Sequence, residues 1–479
     1  MRLHKIYCFA ILMAILLCHT AIAQNDNAYY AALSSVVYKD RIIELEKFKV
    51  PKMFSDKSAQ AWYDEIISGR NSSLLEQFKK DRIIHDTLLL NKCNSIVSRM
   101  KVANKNFNFD SIRVYINRSS VANAACYGEG TLMVNLGLFL WVDNDDELAI
   151  VLGHELAHQM LRHSDSKLTK TIGTLSSEDF KAEIKDIKKS SNGKYDRLRK
   201  LLKDFSIESG KHSRYKEAEA DSLGVLFAKN AGYDVNKGVN ILLKLDKVDQ
   251  PFTSRSLYTT KTFFEGAPID LSPLKVKTKY KGLSSVNVSM NADADMDSVK
   301  THPDCMIRYK NITGAAATTQ PDCCSSLNDK SKIYKERALL EIVRSLYENN
   351  NIGYATHFSL FALNNNYDPA IYKRFLSLCF SKLYDEDKKL NRFNAANTEA
   401  KNETTLKELQ DFLFAMKTAD LDAVALYYLN QSNSLSVDDE FARMMYTTMV
   451  KQQDAVAAYA AFNKKFPDNK YQYLLQQKK

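Results

Sequence analysis

Apolar residues along this chain recur either every three to four positions or every second position, and the two spacings mark out helices and strands. Helical spacing holds in "WYDEIISG" and "TLLLNKCNSIVSRM", between residues 57 and 104. In "SIRVYI", Ile112, Val114 and Ile116 alternate, as on a strand with one face buried. "TLMVN" (131–135) reads as a second strand, entered through "YGEG". "DNDDELAIVLGHELAHQMLRH" is predicted as a helix starting at Asp143 or Asn144, with Asp145 and Asp146 suited to its positive end. Residues 165–212 are expected to form two charged helices broken at "SSNGK". "KEAEADSLGVLFAKNAG" is then a further helix, ended by Gly232.

Residues 246 to 300 read as loop, and nearly everything after 332 reads as helix. Ile333, Leu339, Leu340, Ile342, Val343 and Leu346 lead that region and "DAVAAYAAFNKKFPDN" closes it. Pro369 and Pro467 lie 98 residues apart. That is close to three periods of about 34 residues, the spacing of a tetratricopeptide-like stack of helix pairs. The fold class expected is mostly α (α+β): a domain with a small β-sheet over 24–325, then a helical repeat domain over 326–479.

Composition adds a compartment. With 479 residues the chain is too long for one core, which fits two domains. The first 23 residues stand apart: Arg2 and Lys5, then the apolar run "IYCFAILMAILLC", then "AIA" before Gln24. This is the pattern of a secretory signal peptide cleaved after Ala23. The run is short for a membrane anchor, so the mature protein is expected to be exported, without a transmembrane segment. Removal of Arg2 and Lys5 from 67 basic residues leaves 65 against 57 acidic ones, a thin excess. The short basic runs lack interleaved aromatics, which argues against nucleic acid as a partner. Six cysteines remain outside the leader, and Cys305 with Cys323 or Cys324 is the bridge favoured by proximity.

The chemistry is concentrated in "HELAH" (154–158). On a helix, residues four apart share a face, so the imidazoles of His154 and His158 can hold one ion. Glu155 sits one position round, where a carboxylate outside the ligand set can act as general base. The extended metzincin pattern is excluded, because Leu161 and Ser164 stand where its glycine and third histidine belong. His163, off the ligand face, is expected to be structural. The third ligand should then be a carboxylate, and "RYKEAEADSLG" offers three. Glu217 and Asp221 share a face while Glu219 points away. Glu217 is taken as the ligand and Asp221 as the acid that holds a ligating histidine by its other nitrogen.

"NAACYGEGTLMVNLGLF", "ELAIVLGHELAHQMLRH", "EAEADSLG" and "THPDCMIR", in this order, resemble the gluzincin metallopeptidases of the HtpX and CAAX-prenyl-protease family. The nearest type is the soluble periplasmic, BepA-like branch with a C-terminal tetratricopeptide domain. The resemblance implies one Zn2+ per chain held by His154, His158 and Glu217, with Glu155 as base. It implies a cleft bordered by Asn123 to Gly137, so that Asn123 and Gly130 would lie along bound substrate. It gives His302 the place of an inhibitory fourth ligand, with Arg308 nearby. A positively charged group is needed to stabilise the oxyanion, and Arg308 is the candidate. The function expected is an exported, periplasmic zinc metalloendopeptidase acting on unfolded or misassembled envelope proteins. Outer-membrane assembly machinery is the partner expected for the helical domain. The alternative is a latched or non-proteolytic chaperone or adaptor working through that domain.

Overall fold

The computed structural model describes residues 31–127, 129–189, 194–246, 260–271, 305–314, 329–398, 404–431, 436–472 and 474. Residues 1–30, the expected signal peptide among them, and His302, Cys323 and Cys324 lie outside the described residues. The chain groups into two compact units. One is Ala32–Asp249 with Leu283–Lys335; the other is Met1–Ala31 with Gln250–Gly282 and Glu336–Lys479.

The first unit holds a five-stranded sheet of β1 (Ala32–Leu33), β2 (Ile83–His85), β3 (Arg113–Asn117), β4 (Ala124–Cys126) and β5 (Thr131–Asn135). Their order is β1-β2-β3-β5-β4. β3 and β5 run parallel, with Val114 opposite Leu132 and Ile116 opposite Val134. β4 is antiparallel to β5 and forms an edge of the sheet. Both expected strands are present, but Tyr115 is buried along with Val114 and Ile116, so β3 is covered on both faces and not on one. β1, β2 and β4 have two or three residues each, too few for alternation to show.

Helices α1 (Lys57–Lys79), α2 (Thr87–Ala103), α3 (Asp145–Met160), α4 (His163–Ser176), α5 (Glu178–Lys189), α6 (Lys194–Asn230), α7 (Asn240–Leu245) and α8 (Cys305–Thr313) belong to the same unit. The expected break at "SSNGK" separates α5 from α6, but α6 then runs without interruption through "KEAEADSLG". The sequence divides this stretch because its polarity changes, although nothing in it stops a helix.

α3 is the central element. Asn144 caps it, its Oδ1 accepting from Glu147 N at 2.9 Å, and three acids occupy the first turn. Residues 147 to 150 and 152 to 157 are buried on every side, because α2, α6, α7 and β4 all pack against the helix. α2 offers α3 the stripe Leu89, Cys93, Ile96, Val97 and Met100. Against α6 the approach is closer still. A Cβ added to Gly224 would lie 2.6 Å from His154 N, and one added to Gly153 would lie 2.7 Å from Gly224 O. Glycine at both positions is what lets the two backbones touch.

In the second unit, α9 (Asp329–Glu348) is followed by α10 (Ile352–Asn364), α11 (Pro369–Lys388), α12 (Thr404–Ala415), α13 (Thr418–Asn430), α14 (Val437–Met449) and α15 (Ala455–Lys465). α9 begins in the first unit, which takes in residues up to Lys335. Leu339, Leu340, Ile342 and Val343 are buried as expected, whereas Ile333 is 51% exposed. α11 packs on α10, α13 and α14. It starts with Pro369 in the first turn behind the cap Asp368, a position where the missing N–H costs nothing. The stretch read as loop also contributes a short helix, Thr260–Phe264. Its Phe264 is fully buried against Phe380, Phe412 and Tyr428, at centroid distances of 5.6, 5.0 and 6.1 Å. Among the described residues, no helix is long and apolar enough to cross a membrane.

Candidate metal centre

The C-terminal half of α3 turns His154 and His158 to the same side, with their Nε2 atoms 3.0 Å apart. α6 brings Glu217 up to both: Oε2 is 3.4 Å from His154 Nε2, and Oε1 is 3.3 Å from His158 Nε2. One donor atom from each of the three residues lies within 4.8 Å of the others.

The other ring nitrogens decide what those donor atoms are. His154 Nδ1 lies 2.9 Å from Asp221 Oδ1, so its proton goes to the carboxylate and Nε2 keeps a lone pair. Asp221 is gripped in turn by Arg308, through Nε at 2.9 Å to Oδ2 and Nη2 at 2.6 Å to Oδ1. Burial works against the charged carboxylate, yet the bonds from His154 and Arg308 hold Asp221 at about 2. Two imidazole lone pairs and a carboxylate turned toward one point are what a divalent zinc ion takes as ligands. The residues fit that ion.

Glu155 stands beside this group without belonging to it. Its Oε2 accepts from Cys126 N at 3.2 Å, so the edge strand β4 aims the carboxylate. The Cys126 thiol is pushed far up by burial and by Glu155, which makes it a neutral neighbour and no nucleophile.

A model of peptidase family M48 matches residues 90–316, a little under half of the chain. The stretch takes in the edge strand, "HELAH", the "EAEAD" helix and Arg308. Residues 90–316 form a peptidase family M48 domain. The chain is 26% identical over 196 residues to mitochondrial metalloendopeptidase OMA1 of Arabidopsis thaliana, covering 40% of this chain and 38% of that protein. It is 25% identical over 196 residues to the OMA1 metalloendopeptidase of Schizosaccharomyces pombe, covering 41% of this chain and 53% of the relative. It is 35% identical over 81 residues to the beta-barrel assembly-enhancing protease of Yersinia pestis, covering 17% of this chain and 16% of the relative. The chain thus spans about half or less of the length of these relatives.

The M48 domain places the remaining candidates as follows. Arg308 is buried and its guanidinium is engaged with Asp221, with Nη2 also 3.1 Å from His154 Nδ1. Nε and Nη2 are committed to that buried carboxylate, so Arg308 holds the acid that lies against His154 Nδ1. Gly130 sits in a turn with φ +90°, where a Cβ would come 2.4 Å from Ser111 O, so its small size serves the turn. Asn123 accepts from Asn135 N through its backbone carbonyl at 3.0 Å, which extends the β4–β5 pairing. Tyr127 donates to Thr131 O on the same side of the strand. Alternation therefore turns the backbone groups of Ala124 and Cys126 to the open edge. His302 lies outside the described residues.

Beside the metal group is a cavity of about 400 Å³, flanked by Val225 and Ala218 of α6 and by Ile307 and Ile312 of α8. Sequence reasoning missed this cavity and the Gly153–Gly224 contact. The only sequence signal for the contact is a glycine in each of the two quoted motifs.

Proposed function

We propose that this chain is an exported zinc metalloendopeptidase that cleaves unfolded or misassembled envelope proteins. The observation that carries the reading is the convergence of His154, His158 and Glu217 beside a carboxylate, Glu155, that is not one of them. A purely structural zinc site has no use for such a base.

His154, His158 and Glu217 would hold the zinc, one ion per chain. When bound, zinc supplies Lewis acidity, which polarises a peptide carbonyl and brings the acidity of water near neutrality. Glu155 accepts the proton of the attacking water at its carboxylate and delivers it to the leaving amine. Cys126 N keeps that carboxylate in place. An extended peptide adds to the sheet along β4, bonded to the outward backbone groups of Ala124, with a side chain in the cavity beside α8. The need for an extended chain selects unfolded segments over folded ones. A tetratricopeptide-like helical unit would bring the enzyme to its partners, outer-membrane assembly machinery among them. The pattern of the first 23 residues supports export with cleavage after Ala23, and N-terminal sequencing of the secreted protein tests it.

The deciding experiment is casein cleavage by the purified mature chain beside Glu155→Gln. Cleavage by the parent alone, with equal zinc in both, is expected. Equal cleavage by both would overturn the assignment of the base. If neither cleaves, His302→Ala tests the latched reading, in which removal of the fourth ligand restores activity.

A further inference from the structure

His158 offers Nε2 to the metal group, so its Nδ1 has to be fixed by something else. The described neighbour is another imidazole: His163 Nδ1 lies 2.9 Å from His158 Nδ1, with the rings edge to face at 5.0 Å between centroids. His163 is 6% exposed, and its Nε2 lies 3.4 Å from Glu219 Oε2. Only one order of protons satisfies this line while His158 Nε2 keeps its lone pair. His158 Nδ1–H donates to His163 Nδ1, which leaves the His163 proton on Nε2, facing Glu219 Oε2 across 3.4 Å.

The backbone is arranged to hold that line. α3 ends at Met160, and Arg162 beyond it takes the left-handed conformation (φ +53°) that a side chain ordinarily avoids. This turns the chain so that His163 opens α4 beside His158 and not a further turn along α3. Lys216 Nζ then donates to the His163 carbonyl at 2.9 Å and to Ser166 Oγ at 2.5 Å, tying the start of α4 to α6.

We infer that His163 and Glu219 are positioning residues for His158, a relay that fixes its tautomer and ring orientation for metal binding. It is the counterpart of Asp221 and Arg308 behind His154. One stretch of α6, Lys216 to Asp221, thereby supplies a ligand and the anchors of both ligating histidines. The inference rests on the zinc reading above. It gives a task to His163, expected to be structural, and to Glu219, which points away from the metal group.

The test is zinc titration of the chelator-stripped mature chain against a chromogenic chelator, for the parent, His163→Leu, His163→Gln and Glu219→Ala. The visible spectrum of each cobalt(II)-loaded form is recorded alongside. His163→Leu is expected to weaken zinc binding about 10- to 100-fold and to shift the cobalt bands. His163→Gln, whose side-chain oxygen can still accept from His158, recovers part of the loss. Glu219 is 38% exposed, so Glu219→Ala should leave the unfolding midpoint of the stripped protein unchanged while weakening zinc several-fold. Zinc binding and cobalt bands unchanged in His163→Leu would overturn the relay. Should that variant not fold, unchanged zinc binding in Glu219→Ala would do the same. A parent chain that takes up no zinc would instead overturn the metal reading, and the parent titration alone reveals that case.

Discussion

The two ends of α3 treat buried charge in opposite ways. At its start, Lys244 Nζ meets Asp143 Oδ2 at 2.5 Å and the two oxygens of Glu147 at 2.6 and 2.7 Å, and Lys335 also reaches Asp143. Two ammonium groups and two carboxylates satisfy one another. Burial raises Glu147 above the usual carboxylate range while Lys244 pulls it back. At the far end, acids and histidines turn lone pairs toward a shared point. One helix thus carries a cluster complete in itself and a cluster suited to receive a cation. The lesson is that burial of charge alone marks no functional site; convergence of acceptor atoms does.

Four measurements probe this contrast. Glu155→Gln should lower casein cleavage by about 10²- to 10⁴-fold at unchanged zinc content, the range expected for loss of a general base. At the other end, Lys244→Met leaves the buried Glu147 carboxylate beside an apolar chain, while Asp143 keeps Lys335. It should cost about 3–5 kcal/mol in urea unfolding, with full zinc content in the protein that remains folded. Adding Glu147→Leu to that variant should return much of the loss, as replacement of a whole buried pair often does. Arg308→Gln loosens Asp221 and should weaken zinc about 10- to 100-fold. Unchanged zinc binding there would show that His154 needs no clamp.

The smallest effect concerns a buried histidine in the helical unit. His154 is opposed by burial and by Arg308, but its bonds to Asp221 and Glu217 carry it above the ordinary value. Burial alone lowers His357 to about 4. The folded state therefore binds the proton more weakly than the unfolded chain. Stability from this residue is complete above about pH 6.5 and is lost as pH falls toward 4, by up to a few kcal/mol. Unfolding of the parent and of His357→Leu across that range should show a steeper loss of stability toward low pH in the parent.

Much of the site was legible because its chemistry needs fixed spacings. Four residues put His154 and His158 on one face, the next position makes Glu155 available, and a second four-residue step pairs Glu217 with Asp221. The long strands and the capped start of α3 were readable for the same reason, since periodicity and caps are local properties. Short strands and the Phe264 helix were not, because a handful of residues carries no period.

What the sequence by itself determined is the set of groups: two imidazoles, a spare acid, an acidic helix and a leader-like start. Tertiary structure alone decided their partners. Gly153 and Gly224 let α3 and α6 touch, which brings Glu217 to the histidines. The turn at Arg162 places His163 behind His158, and α8 lowers Arg308 onto Asp221. Spacing along a helix tells which face a residue occupies. Which atom meets it there depends on how the chain turns and on partners that, for Glu217 and Arg308, lie tens of positions away, and no local pattern records that.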